Sequence, residues 1–485
     1  MIYKVLLSRA NPRFVTFAAL FMNAFSTFLS KAVDFIWGPP LLILLLGGGF
    51  FLVVYSKFLP FRFLKHAINV LRGKYDNPND PGEISHFQAL SGALAATIGM
   101  GNISGVALAI AAGGPGAIFW MWISALLGMA TKYFTCTLAV LYRGKDSEGN
   151  LQGGPMYVIR EGMSRRWKAL AVFFSVAGFF GATPVFQTNQ MVAVLKNVVL
   201  IPNGFAERPF NFDFLGVGLE FDLISLCIGL CIAFLVALVI LGGIRRIGSV
   251  ASKLVPAMVV VYVVSVLLIM VFNADAVGGA FALIFTDAFS AQAMLGGAIG
   301  AIIVEGAKRA AFSNEAGIGQ APMMHGAAKT NEPVREGLVA MLGPAIDTII
   351  VCTMTGICIL VTGVWNSGEQ DGILLTASAF ETAFPGFGPY LLMVCVMIFA
   401  ITTIFGLAYY GQKCLSFLIG AKYGNYFNYW YIALVILGSV ATLSDVVNLV
   451  FVAYGLMAVP TMISAMVLAP KVMEATKEYL AKTFP

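Results

Sequence analysis

Two glycine-rich segments interrupt apolar runs where their backbone could bind a ligand. The first is TIGMGNISG at residues 97–105, and the second is GGAIG at residues 296–300. Because glycine inside a helix costs about 1 kcal/mol relative to alanine, glycines this closely spaced favour local unwinding. Unwound backbone offers carbonyl oxygens to a cation, and the half-helix that follows offers its positive N-terminus to a carboxylate. The alternative is that the glycines only let neighbouring helices pack closely.

Uncharged polar side chains occur deep in two further apolar runs. Gln187 lies four residues after Thr183, and therefore on the same helical face, with Asn189 nearby. An amide can hydrogen-bond a zwitterion without adding a charge, which favours a substrate site, and interhelical hydrogen bonding is the alternative. Thr402 and Thr403 carry hydroxyls that could complete an oxygen shell around a hard cation such as sodium.

Charged residues are rare within the apolar runs. Asp347 lies alone in GPAIDTIIVCT. An acid at membrane depth is a functional candidate by default, with a helix-to-helix hydrogen bond as the alternative. Arg309, Asn314 and Glu315 fall between the basic end of one run and a polar stretch at 323–335. We expect these three residues to belong to an inner gate, which affects turnover more than affinity.

The composition predicts that these segments lie in a membrane. Of the 485 residues, 59% are apolar and 11% are charged, whereas soluble domains carry about 25% charged residues. Apolar runs recur from end to end, and each can cross a hydrocarbon core of about 30 Å as a helix. We expect an all-α membrane protein with about eleven transmembrane helices.

The spans predict one transmembrane domain at residues 39–485. Its first span lies outside two sets of five helices, at about 87–272 and about 278–470, and each set opens with a glycine-rich helix. Because five is odd, the two sets have opposite orientation, as in an inverted repeat with its site at the midplane.

The N-terminal segment, residues 1–38, has two interpretations. An apolar run at residues 14–29 follows Lys4, Arg9 and Arg13, a pattern typical of a signal peptide. The small-residue cleavage site is weak, which favours a retained helix.

The distribution of charge predicts the orientation. Most of the 30 lysines and arginines lie in alternate connections and in the C-terminal tail. The positive-inside rule makes that side cytoplasmic. We therefore expect a multi-pass protein of the cell membrane with a cytoplasmic C-terminus and with no nucleic-acid partner. The seven cysteines form no C-x-x-C pair and the three histidines are scattered, so no metal cluster is indicated.

Six motifs occur in fixed order through most of the chain beyond residue 39. They are FQALSGALAATIGMGNISGVALAIAAGGPGAIFWMWISALLGMATK, GGPMYVI, GGIRRI, KRAAFSNEAGIGQAP, AAKTNEPVREGLVAMLGPAIDTIIVCT and TTIFGLAYYG. In these motifs the chain resembles the alanine/glycine:cation symporter family, also called sodium:alanine symporters. The resemblance implies a leucine-transporter type of fold, with five-plus-five inverted repeats and alternating access.

The resemblance also assigns residues to a site between core helices 1, 3, 6 and 8. The residues assigned to the substrate are Thr97, Gly99, Gly101, Asn102, Gln187, Asn189, Gly296, Gly297 and Ala298. Thr402 and Thr403 are the candidate sodium ligands. Ala298 and Leu407 stand where the family usually has aromatic residues, and Met100 stands where it usually has threonine. Because two aromatic side chains are replaced by smaller ones, we expect the pocket to admit side chains larger than that of alanine, unless Met100 fills the space.

These observations predict a secondary active transporter that carries a small neutral amino acid, such as alanine or glycine, together with sodium. A proton as the coupling ion is the alternative, and Asp347 would then be the residue of interest. An ion channel is a further alternative, whereas the spans offer no catalytic constellation for an enzyme. We expect no cofactor other than the co-transported ion, and the sequence gives no oligomeric state.

Overall fold

The computed structural model describes residues 12–205, 209–214, 217–289, 298–366, 368, 372–440 and 444–484, and all structural statements below concern these residues. Almost all of them are helical. The first part of the chain forms α1 (Pro12–Ile36), α2 (Pro39–Tyr55), α3 (Leu59–Arg62), α4 (Leu64–Leu71), α5 (His86–Thr97), α6 (Gly101–Gly113), α7 (Ala117–Leu141), α8 (Pro155–Gly162), α9 (Arg165–Leu200), α10 (Leu223–Ile240) and α11 (Gly243–Phe272).

The second part of the chain is helical in the same way. It forms α12 (Ala274–Ala288), α13 (Ala298–Asn314), α14 (Ala321–His325), α15 (Pro333–Val361), α16 (Gly372–Ala383), α17 (Gly388–Ile419), α18 (Ala421–Gly424), α19 (Tyr426–Val440), α20 (Ser444–Val467) and α21 (Ala469–Thr483). A 3₁₀ turn lies at Val364–Asn366.

Two short antiparallel hairpins interrupt the helices. Strand β1 (Gly144–Lys145) pairs with β2 (Leu151–Gln152), and β3 (Pro209–Phe214) pairs with β4 (Val217–Asp222). Each hairpin fills a connection between helices, so neither contributes to the helical core.

Seven of the described helices are long and apolar enough to cross a membrane, and nine spans result if each of two bent pairs counts as one. The bent pairs are α1 with α2, at 43°, and α5 with α6, at 58°. The finding agrees with a multi-pass helical membrane protein, whereas the expected eleven spans stay a prediction. Two further candidates, α13 and α19, have 17 and 15 described residues, and each borders residues outside the described part of the chain.

Two helices turn large apolar side chains outward. Phe234 on α10 and Val260 and Val271 on α11 are exposed, and both helices contain a strongly apolar stretch of 18 residues. Apolar surface of this extent fits contact with lipid.

The helical bundle has two opposite ends, the basic end and the distal end. At the basic end lie α4, α8 and α21, where the hydroxyl of Tyr133 near the end of α7 hydrogen-bonds Thr476 of α21 at 2.7 Å. At the distal end, Oδ2 of Asp287 on α12 accepts a hydrogen bond of 2.8 Å from the N–H of Gly116, just before α7 begins. α7 therefore runs from the distal end to the basic end.

The interior joins the two halves of the chain. α5 packs against α11 and α17, α9 packs against α17 and α20, and α13 packs against α6 and α7. Segments of π-helix lie at Gly101–Gly105 in α6 and at Ala345–Cys352 in α15. Such segments are frequent at functional sites.

Candidate functional site

The first glycine-rich segment is a true interruption of the helix. α5 ends at Thr97, and Ile98 leaves helical conformation with ψ at 96°. Oδ1 of Asn102 accepts a hydrogen bond of 2.9 Å from the N–H of Gly99. A side chain of the second half-helix therefore holds the interruption in place.

Thr403 of α17 faces this interruption. Its Oγ1 lies 3.5 Å from the carbonyl oxygen of Ile98 and 2.9 Å from that of Phe399. A Cβ atom at Gly99 would lie 2.5 Å from the same hydroxyl oxygen. Glycine is therefore required for α17 to approach the interruption this closely.

Thr402 and Thr97 use their hydroxyls within their own helices. Thr402 donates to the carbonyl of Phe399 at 3.0 Å, and Thr97 donates to that of Leu94 at 3.4 Å. Thr402 also faces the sulfur of Met258 at 3.5 Å. Of the two threonines predicted as sodium ligands, Thr403 is the one that the structure places against the interruption.

Asp347 of α15 connects the interruption to α13. Its carboxylate is fully buried. Oδ1 accepts a hydrogen bond of 2.8 Å from Nδ2 of Asn102, while Oδ2 accepts one of 2.7 Å from Ser313 and one of 2.8 Å from Thr348. The geometry thus gives Asp347 the helix-to-helix hydrogen bonding that the sequence analysis stated as one of its two interpretations.

A second interruption lies at residues 315–320, beyond the C-terminal end of α13. Glu315, Gly317 and Gly319 have φ values of 55°, 86° and 102°. Glycine adopts this left-handed region freely, whereas glutamate rarely does. The chain resumes a helix only at Ala321.

Asn314 stabilises the end of α13. Its Oδ1 accepts a hydrogen bond of 2.9 Å from the N–H of Ala316, and its Nδ2 donates one of 2.9 Å to Thr348. Asn314 and Asn102 thus have equivalent roles. The side-chain oxygen of each accepts a hydrogen bond from a backbone N–H at an interruption, and the amide nitrogen donates to the Asp347–Thr348 pair on α15.

Glu315 is buried among polar partners. In the amide orientation that satisfies its neighbours, Gln320 donates to both carboxylate oxygens of Glu315, at 2.6 and 3.0 Å. Next to it, the hydroxyl of Thr461 on α20 donates to the carbonyl of Ile318 at 3.1 Å. The second interruption is therefore linked to α20.

The two interruptions meet each other. A Cβ atom at Gly101 would lie 3.4 Å from the ring of Phe312 and 3.5 Å from Cα of Ser313. Ala298, by contrast, begins α13 at its other end, about 22 Å from Ser313 along a helix that rises about 1.5 Å per residue. Gly296 and Gly297 lie outside the described residues.

The three residues predicted to form an inner gate lie in and just after α13. Asn314 and Glu315 are buried where α13 ends and the second interruption begins. Arg309 lies about one turn earlier and donates to Oε1 of Glu305 at 2.5 Å. The part of these residues in gating stays a prediction.

Two cavities lie beside the interruptions. The larger, of 280 Å³, is lined by Met100, Gly101, Ser104, Gly105, Leu108, Phe186, Gln190, Arg309, Phe312, Gly372, Val447 and Phe451. The smaller, of 20 Å³, is lined by Gly181, Thr183, Phe186, Gln187, Phe312, Leu407, Val447, Val450 and Tyr454. Phe186, Phe312 and Val447 line both, so these side chains separate the two spaces.

Gln187 presents an unused acceptor to the smaller cavity. Its Oε1 is buried and has no hydrogen-bond partner within the described part of the chain. A buried amide oxygen without a donor is costly, because it has lost water without replacing it. This arrangement fits a ligand that brings a donor group.

The other predicted substrate residues are placed differently. Asn189 lies two residues from Gln187, and therefore on another face of α9, and it lines neither cavity. Leu407 does line the smaller cavity. The structure thus brings Gln187, Leu407 and Gly101 to one place, whereas Asn189 and Ala298 stand apart from it.

Sequence reasoning did not assign Phe312, Ser313 or Tyr454 to the site. Phe312 stacks on Phe451 with ring centroids 4.6 Å apart and also contacts Tyr454. The signal that could have found this region is the Asn-Glu-Ala-Gly-Ile-Gly run at residues 314–319, in which two closely spaced glycines follow a capping asparagine.

Comparison with known proteins agrees with this architecture. The chain is 42% identical to an uncharacterized transporter of Haemophilus influenzae over 94% of its length and 96% of the relative's. It is 39% identical to the sodium/alanine symporter AgcS of Methanococcus maripaludis, with coverage of 94% and 97%.

A solved structure shares the fold. The crystal structure of MhsT in complex with L-phenylalanine matches with a TM-score of 0.56 at 12% identity, covering 80% of this chain and 89% of MhsT. This chain therefore shares the fold of MhsT. Residues 22–484 match the sequence profile of the sodium:alanine symporter family, and this chain belongs to that family.

Proposed function

We propose that this protein is a symporter that carries a small neutral amino acid together with sodium by alternating access. The observation that carries the proposal is the unpartnered Oε1 of Gln187, which faces a small cavity next to the two interruptions. The proposal is supported by family membership and by the name of the relative AgcS.

The substrate's two charges have complementary partners at this place. The ammonium group would donate to Oε1 of Gln187, and the carboxylate would lie near the positive N-terminus of α6, which begins at Gly101. The cavity at Gln187 measures 20 Å³, room for little more than one water molecule, which needs about 10–15 Å³. Binding would therefore require Phe312 to rotate and merge this space with the larger cavity.

The sodium ion would bind between α5 and α17. The carbonyl oxygen of Ile98 and the hydroxyl of Thr403, 3.5 Å apart, are hard ligands of the type that sodium prefers. Neutral oxygens at this position need no titratable group. This is the reason to propose sodium, rather than a proton, as the coupling ion.

The architecture we propose for transport has two repeats of five spans. The first repeat begins with the α5–α6 pair and ends with α11, and the second begins with the α13–α14 pair and ends with α20. α1 and α2 together form one further span, which brings the total to about eleven. Each repeat then opens with a broken helix, as expected of an inverted-repeat transporter.

We further propose that the basic end faces the cytoplasm and that the protein resides in the cell membrane, because the positive-inside rule favours the basic connections on that side. The segment at residues 1–38 is proposed to be retained. Its helix ends beside Trp37, whose indole N–H donates to the carbonyl of Phe451 on α20 at 2.8 Å.

Equilibrium binding of labelled alanine to the purified protein tests the role of Gln187. Gln187→Leu removes the unused acceptor and keeps an apolar side chain of similar length, so alanine affinity should fall by roughly 10- to 100-fold. Asn189→Leu is the matched control, since Asn189 lines neither cavity, and it should change affinity little. Equal loss in both variants, or no loss in Gln187→Leu, would contradict the proposed substrate site.

A further inference from the structure

A buried cluster of two histidines and a glutamate joins three elements at the basic end. His86 is the first residue of α5, His325 is the last residue of α14, and Glu336 lies in the first turn of α15. All three side chains are at most 1% exposed. None of the three residues lines either cavity, so the proposed transport site leaves the cluster unexplained.

Glu336 is the centre of this cluster. One carboxylate oxygen accepts from Nδ1 of His86, and the other accepts from Nδ1 of His325 at 2.5 Å. Because a carboxylate only accepts hydrogen bonds, each ring must carry a hydrogen on Nδ1. Both oxygens of Glu336 are thus used to hold the ends of two helices.

The outer ring nitrogens differ between the two histidines. Nε2 of His86 lies 3.9 Å from the carboxylate of Asp76, so the ring lies between two acidic groups. Nε2 of His325 is buried without a hydrogen-bond partner among the described residues. His86 and Glu336 therefore form the charged pair of the cluster, and His325 adds a hydrogen bond.

Backbone pairing ties the same two segments together next to the cluster. The N–H of Lys329 donates to the carbonyl of Ile84 at 2.7 Å, and the N–H of Glu83 donates to that of Ala327 at 2.8 Å. The guanidinium of Arg143 donates to carbonyls of the same connection, at Gly326 and Thr330, at 2.8 and 3.0 Å. The chain just before α5 is thus fastened to the chain just after α14.

We propose that His86, Glu336 and His325 form a latch that holds the basic end of the transport pathway closed. α5 and α14 are the half-helices on the basic side of the two interruptions, so release of substrate towards that side requires them to separate from α15. Separation breaks both hydrogen bonds to Glu336 and lets water reach a carboxylate that is otherwise buried. The inference rests on alternating access as part of the proposed function.

The test measures access to α5 directly and needs no transport. Ala89, one turn after His86 and fully buried, is changed to cysteine, and a membrane-impermeant maleimide is added from the basic side of oriented proteoliposomes. Peptide mass spectrometry measures the extent of labelling at Ala89→Cys. It also measures labelling at Cys136, a buried native cysteine of α7 that needs no substitution. The amount of alanine transported does not enter this readout.

Glu336→Gln should make labelling at both thiols faster by about tenfold or more, because glutamine keeps the shape but offers a single acceptor oxygen. His66→Gln is the matched control. His66 is the third buried histidine of the basic end, but it hydrogen-bonds Tyr479 of α21 at 2.8 Å and not the latch. Burial lowers the pKa of His66, so its substitution removes a neutral ring and should leave labelling unchanged.

A double-substitution comparison separates a latch from a general structural role. His86→Gln and Glu336→Gln break the same pair, so the double variant should label no faster than the faster single variant. Additive effects, an equal increase in His66→Gln, or unchanged labelling in Glu336→Gln would overturn the proposal. If Glu336→Gln does not fold, His325→Gln, which keeps the His86–Glu336 pair, should still accelerate labelling, and unchanged labelling in it would also overturn the latch.

Failure of the latch is distinguishable from failure of the proposed function. If Glu336→Gln is labelled faster but wild type takes up no amino acid, the latch is supported and the assigned substrate is contradicted. If wild type shows sodium-driven uptake but labelling of Glu336→Gln is unchanged, the proposed function is supported and the latch is contradicted.

Discussion

The amide of Asn102 donates a hydrogen bond of 2.8 Å to the carboxylate of Asp347, which lies 245 residues later in the chain. The same amide accepts from the N–H of Gly99, and the same carboxylate accepts from Ser313. One pair of side chains thus connects the first interruption to the last turn of α13.

Asp347→Asn should weaken the binding of both alanine and sodium. The substitution keeps the shape but replaces one acceptor oxygen with a donor, which would face either Asn102 or the pair Ser313 and Thr348. Leaving buried partners unsatisfied costs about 1–3 kcal/mol, so half-saturating concentrations should rise by roughly 5- to 150-fold. Uptake as a function of each concentration measures the effect.

Thr348→Val is the control for Asp347→Asn. It removes one of the donors to Asp347 without changing the carboxylate, and its effect should be the smaller of the two. Unchanged alanine and sodium dependence in Asp347→Asn would contradict the connecting role.

Thr403→Val should raise the sodium concentration for half-maximal uptake much more than it changes protein abundance. Valine has the shape of threonine but removes the hydroxyl that faces the carbonyl of Ile98. Thr402→Val provides the comparison, because both hydroxyls hydrogen-bond the carbonyl of Phe399 but Thr403 also faces the carbonyl of Ile98. An equal sodium effect in the two variants would argue against Thr403 as a ligand.

Gly99→Ala should abolish sodium-dependent uptake while leaving the protein folded. The added Cβ would lie 2.5 Å from Oγ1 of Thr403, which forces α5 and α17 apart. Gly278→Ala, in α12, has no atom within 4 Å of the added Cβ and lines neither cavity. It should be tolerated and should stabilise α12 by up to about 1 kcal/mol.

Thermal unfolding and uptake, measured on both glycine variants, check this prediction. Normal uptake by Gly99→Ala would show that the close approach of α17 is not needed for transport.

Leu407→Trp should narrow the range of substrates. Leu407 lines the small cavity beside Gln187, so wild type should accept serine, threonine, cysteine or valine in addition to glycine and alanine. A methylene in an apolar pocket is worth about 1–3 kcal/mol, and the added ring should exclude the larger side chains while sparing glycine. Competition against labelled alanine uptake measures this.

Ala298→Phe is the informative comparison for substrate size. The sequence predicts that this change also restores bulk to the pocket, but Ala298 begins α13 about 22 Å from the meeting point of the interruptions. Ala298→Phe should therefore leave the competition profile unchanged. If Ala298→Phe excludes the larger amino acids and Leu407→Trp does not, the substrate pocket does not lie beside Gln187.

The sequence predicted the first interruption because several signals coincide there. Gly99 and Gly101 weaken the helix, and Asn102 supplies the polar side chain that an open backbone needs. Apolar patterning likewise predicted the helical membrane architecture, since length and hydropathy decide which helices can span.

The interruption at residues 315–320 was not predicted from glycine spacing. In the run at 296–300, Gly296 and Gly297 lie outside the described residues, so the break predicted there stays a prediction, and Gly300 lies within α13. The observed interruption instead depends on left-handed backbone at residues 315–319 and on the cap from Asn314. The polar character of this run predicted an inner gate, and the sequence could not show that Asn314 donates to Thr348, which is distant in the chain.

Uptake of labelled alanine into proteoliposomes containing the purified protein tests the central claim most directly. An inward sodium gradient should drive accumulation, an equal potassium gradient should not, and excess unlabelled serine should compete. Accumulation that follows a proton gradient and ignores sodium, or the absence of any alanine uptake by folded protein, would contradict sodium-coupled symport of a small neutral amino acid.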